Sequence, residues 1–180
     1  MSSLRSVLMF LTALLLWGHD ARAQRALPYT PVVTPNVSTL PFTMKGGVKE
    51  FRLTAEPVKR EFAPGMIVNA WGYNGSTPGP TIEAVEGDRV RFLVTNKLPE
   101  RTSVHWHGIL LPAGMDGVAG LNQPHIEPGE TYVYEFTLKQ HGVFMYQPHS
   151  NEVLRRSRRV RVSAGLRCTQ DHAVSPVETP

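Results

Sequence analysis

The sequence predicts an all-β fold, a Greek-key β-sandwich, and three observations lead there. Segments of alternating apolar and polar residues recur along the chain at strand length. Turn residues separate them, with 15 glycines and 15 prolines among 180 residues. No convincing amphipathic helix follows the N-terminal apolar run. Hydrophobic content of 41% and charged content of 19% describe a globular chain, and the length suits one domain with a real core.

Residues 1–23 read as an export signal. Arg5 gives a thin positive start, residues 7–17 are apolar, and Ala21-Arg22-Ala23 is a small-x-small cleavage site before Gln24. The run is too short to remain as a spanning helix, and no other segment approaches that length. The mature product is therefore expected to be soluble and periplasmic or secreted. Residues 24–47 hold Pro28, Pro31, Pro35 and Pro41 without periodicity, which predicts an extended arm lying over the domain.

The domain itself is expected over residues 48–152. Val48-Lys49-Glu50-Phe51-Arg52-Leu53-Thr54-Ala55 alternates as a half-buried strand does. Met66 to Trp71 leads into the turn signal Tyr73-Asn74-Gly75. Thr77-Pro78-Gly79-Pro80-Thr81-Ile82 is a rigid turn entering a strand, and Glu86-Gly87-Asp88 is another turn. Val90, Phe92 and Val94 then share one face, with Arg89, Arg91 and Thr95 on the other. Beyond the turn at Pro128-Gly129-Glu130, Tyr132, Tyr134, Phe136 and Leu138 line one side of a strand. His141-Gly142 turns the chain into Val143-Phe144-Met145-Tyr146.

After Glu152 the character changes, and residues 153–180 are expected to form a basic, poorly ordered tail outside the sandwich. Residues 1–152 carry 13 Lys+Arg against 13 Asp+Glu, so the net +4 comes from six arginines between Arg155 and Arg167. A single basic run on an exported chain gives no nucleic-acid role. The lone cysteine, Cys168, allows no intrachain disulfide.

Chemistry concentrates at Ser103-Val104-His105-Trp106-His107-Gly108. Two histidines two residues apart in a strand put both imidazoles on one face, with Trp106 packing on the other. Tyr146-Gln147-Pro148-His149-Ser150 offers a third imidazole at the end of another strand. His105, His107 and His149 are the candidate metal ligands. His125 and His141 lie in loops or turns and read as exposed or hydrogen-bonded. Asp116 in Met115-Asp116-Gly117 reads as a turn cap with a supporting role open to it. The methionines, Met145 included, lack the repeated spacing of a Cu(I)-binding tract and read as core or surface.

Thr77 to Ile82, Glu86-Gly87-Asp88, His105-Trp106-His107-Gly108, Pro128-Gly129-Glu130 and Gly142 to His149 occur in the order and spacing of one family. Over residues 48–152 the chain resembles the N-terminal cupredoxin (plastocyanin-like) domain of bacterial multicopper oxidases of the laccase-like and copper-resistance type. The resemblance implies copper, with His105 on the type 2 position and His107 and His149 on type 3 positions. Gln147 stands where the family has a further histidine, and an amide oxygen is a poor copper donor. The resemblance also implies a last strand and further cupredoxin domains carrying the Cys-His type 1 site. Here the pattern stops near Glu152, so that strand is expected to be missing and the chain to be a truncated fragment, not catalytically competent alone. Copper ions are the expected partner, with missing domains supplied by another chain. A stand-alone periplasmic copper-binding module and a structural sandwich without metal remain open alternatives.

Overall fold

The computed structural model describes residues 31, 33–149 and the backbone of 164–169. The expected export signal lies outside the described residues. In chain order the strands are β1 (Phe42–Lys45), β2 (Val48–Ala63), β3 (Met66–Tyr73), β4 (Ile82–Val85), β5 (Arg89–Asn96), β6 (Val104–His107), β7 (Thr131–Thr137), β8 (Gly142–Pro148) and β9 (Ala164–Thr169). One 3-10 turn, Ala113–Met115, interrupts them. One sheet runs β1-β2-β5-β7 with β3 paired to β2, and the other runs β4-β9-β8-β6.

The alternation read from the sequence decides which faces meet. Phe51, Leu53 and Ala55 of β2, Val90, Phe92 and Val94 of β5, and Tyr134 and Phe136 of β7 turn inward. They meet Ile82 and Ala84 of β4, Val104 and Trp106 of β6, and Tyr146 of β8 in one core. β2 and β5 pair in parallel, with Phe51 opposite Phe92 and Leu53 opposite Val94. β4 and β9 also pair in parallel, so the chain crosses between sheets as a Greek-key sandwich requires.

Turn chemistry follows the glycines only where the backbone demands it. At Tyr73–Ser76 both backbone bonds of a tight turn close, at 2.9 and 3.1 Å, while Asn74 and Gly75 take φ of 49° and 76°. Gly79 lies where an added Cβ would sit 2.8 Å from the Tyr146 hydroxyl, which donates to Pro80 O at 2.7 Å. Burial raises the Tyr146 pKa, so the phenol stays a donor.

Two segments differ from the sequence reading. Within 24–47, Phe42–Lys45 is a strand, paired antiparallel with β2 and exposed along its length. Within 153–180, Ala164–Thr169 is not a loose tail but β9, seated between β4 and β8. The physical reason is pairing: without it β4 and β8 would each present an open edge in the middle of a sheet. The strand expected to be missing is present.

Candidate metal centre

The corner leading into β6 is held by Asn96, which is fully buried. Its Nδ2 donates to Glu100 O at 2.9 Å and Ile126 O at 2.8 Å, and its Oδ1 accepts from Leu98 N at 2.9 Å. A buried amide with donors and acceptor all satisfied fixes the chain in one place. Trp106 then anchors the strand, fully buried with its ring 4.3 Å from Phe92 and edge-on to Tyr134 and Phe136. Val104 N donates to the Tyr134 hydroxyl at 3.0 Å. Desolvation pushes the Tyr134 pKa up to about 12.

With Val104 and Trp106 inward, His105 and His107 project from the opposite face, as the two-residue spacing predicts. Their ring centroids lie 5.5 Å apart. His149 follows the end of β8, where its N donates to Ser103 O at 3.2 Å and its O accepts from Ser103 Oγ at 2.7 Å. That double clamp sets its ring 5.5 Å from His105 on the other side. The three predicted residues are thus neighbours in a row, with His105 in the middle.

His105 is the most constrained of them. Its Nδ1 lies 2.7 Å from Asp116 O. A carbonyl only accepts, so in the neutral ring Nδ1 carries the proton and Nε2 is left with the lone pair, the tautomer a metal ligand needs. The loop reaches this close because residue 117 is glycine. An added Cβ would stand 1.7 Å from Val104 O and 2.8 Å from His105 Cα, and φ is 86°. Asn122 completes the loop, accepting from Val118 N at 3.0 Å and donating to the Asp116 carboxylate at 3.4 Å. Asp116 thus ends the 3-10 turn through its backbone N–H, which donates to Ala113 O, and supports His105 through its backbone carbonyl, with a carboxylate oxygen 3.4 Å from the same Nδ1. A carbonyl has no motif of its own; the sequence signals here are the Asp116 side chain, whose supporting role the sequence leaves open, and the glycine beside it.

The other two described histidines do not join this row. His141 pairs with Glu86 Oε2 at 2.9 Å on the surface. His125 has a buried Nδ1 with no hydrogen-bond partner among the described residues, rather than the exposed or bonded ring expected. Gln147 faces His105 across the β6–β8 register, and Met145 faces His107. Among the described residues no cluster of three His, Cys, Asp or Glu side chains is closed enough to hold one ion. The row is an open set of imidazoles. That donor type suits copper, and a proton-fixed Nδ1 orients Nε2 for it.

Residues 54–170 match the family model described as multicopper oxidase. Copper resistance protein A of Escherichia coli is 40% identical over 134 residues, 74% of this chain and 20% of that protein. Its homolog in Pseudomonas syringae pv. tomato is 53% identical over 86 residues, 48% of this chain and 15% of that protein. A multicopper oxidase from Pseudomonas thermotolerans superposes with a TM-score of 0.64 at 36% identity, over 70% of this chain and 30% of that one. This chain therefore spans about a fifth or less of the length of those two curated relatives. The family model runs through β9, so the part of 153–180 that pairs in the sheet falls inside the match. With a cupredoxin-like sandwich, and a match over more than half its length, this chain belongs to the multicopper oxidase family, whose metal is copper.

Proposed function

We propose that these residues bind copper through His105, His107 and His149 and supply one side of a copper cluster. The observation that carries the reading is the Asp116 O to His105 Nδ1 bond, which leaves Nε2 of the central imidazole ready to coordinate. When bound, copper supplies the redox chemistry of the family. This chain's own residues position imidazoles and pack a dry floor beneath them with Trp106.

Reduction of oxygen needs more donors than this row holds. On this reading the chain is not catalytically competent alone, and further cupredoxin domains, on the same or another chain, complete the cluster. Placement outside the cytoplasm, in the periplasm or secreted, is supported by residues 7–17 and by Ala21-Arg22-Ala23. No helix among the described residues is long and apolar enough to cross a membrane.

The experiment is a Cu(II) titration of the purified chain beside His105→Ala/His107→Ala. The double variant is expected to lose at least roughly tenfold in affinity. Equal affinity would place copper elsewhere and defeat the assignment. Binding should also weaken on acidification, because protons compete for the imidazole lone pairs.

A further inference from the structure

Among the described side chains, the outward face of the second sheet also carries a thioether. Met145 of β8 lies directly across from His107 of β6. Residues opposite each other in an antiparallel pair leave the same face with Cβ atoms about 5 Å apart. Both are exposed, Met145 at 44%. Its neighbours Phe144 and Tyr146 take the inward positions and do the packing. Methionine is usually a filler of core gaps. Here its thioether stands at the surface beside an imidazole, where packing does not call for it.

We propose that His107 and Met145, together with His105, form a site selective for Cu(I). The inference rests on the reading of β6 as the copper-binding strand and adds the oxidation state. Soft thioether sulfur favours Cu(I), whereas Cu(II) prefers a tetragonal set of nitrogen and oxygen donors. The face offers three imidazoles, with His105 5.5 Å from each of the other two, and a sulfur at the His107 end, away from His149. Opposite His105 it offers Gln147, a neutral amide, so it does not build the four-nitrogen set that would favour Cu(II). No repeated methionine spacing advertises such a site, because its sulfur and nitrogen come from different strands.

The test uses the whole chain and two metals. Cu(I) is delivered anaerobically as its bicinchoninate complex, and Cu(II) is titrated separately against glycine. Met145→Leu conserves volume and should leave the thermal midpoint in place. It is expected to weaken Cu(I) binding roughly tenfold while leaving Cu(II) within about twofold. X-ray absorption of the Cu(I)-loaded chain should contain a sulfur shell that Met145→Leu removes. An unchanged Cu(I) affinity, an equal loss for both ions, or a sulfur shell that is absent or survives the substitution would overturn the proposal. Those outcomes leave the β6 reading standing if His105→Ala/His107→Ala still abolishes binding. A double variant that binds both ions normally would instead sink the β6 reading itself.

Discussion

At the scale of single residues, the site depends on a glycine and a carbonyl as much as on histidines. That His105, His107 and His149 come together is legible because imidazoles at strand spacing are a side-chain pattern. The Asp116 carbonyl that orients His105 is not, since any residue type could supply it. Gly117 tests the link. Gly117→Ala would drive a methyl into Val104 O and His105 Cα at a positive φ. Such overpacking is expected to cost about 1–3 kcal/mol of stability, read from the denaturant midpoint, and to weaken Cu(II) binding. A variant as stable and as tight as the parent would show that the loop does not need this approach. Gln147→His places a new imidazole across from His105. It should tighten Cu(II) roughly tenfold, because it replaces an amide with a nitrogen donor; isothermal titration reads the change.

At the scale of elements, legibility follows the face pattern. β5 and β7 are read correctly because each has one buried and one wet face, so the period of two survives in the sequence. β2 continues to Ala63, past the alternation that ends near Ala55, because its second half is held by hairpin pairing with β3. β9 is the instructive miss. Ala164, Leu166 and Cys168 alternate with Gly165, Arg167 and Thr169, but the run is six residues long and follows a stretch of arginines, so composition hides it. Its place is set by backbone pairing on both sides, with Leu166 opposite both Ile82 and Phe144. Truncation after residue 163 should therefore expose two strand edges, lower the thermal midpoint and promote aggregation. Unchanged melting of the truncated chain, followed by circular dichroism, would mean that β9 contributes nothing to the sandwich.

At the scale of the molecule, the two sheets divide the work. The first sheet's outer face is an ion network spanning four strands. Glu50 accepts from Lys45 at 2.6 Å and Arg52 at 3.1 Å, and Arg91 joins at 3.5 Å. Glu135 takes Arg89 and Arg91, each at 2.6 Å. The Lys45 hydrogen bond holds the Glu50 pKa below its ordinary 4.5, and the Arg91 hydrogen bond does the same for Glu135. Depressed carboxyl values stabilise the fold above the unfolded pKa, and that contribution is lost as pH falls through the folded values. The thermal midpoint should drop on acidification from about pH 5 to about pH 3, and drop less in Glu50→Gln/Glu135→Gln. An identical pH profile for the variant would remove these carboxylates from the acid response.

The second sheet's outer face carries the imidazole row. Pulsed electron paramagnetic resonance on the Cu(II)-loaded chain counts coordinated imidazoles directly through their remote nitrogens. The arrangement predicts more than one imidazole on copper in the parent, and one fewer when His105 alone is changed to alanine. A spectrum with no imidazole nitrogen, or one that His105→Ala leaves unaltered, would contradict it.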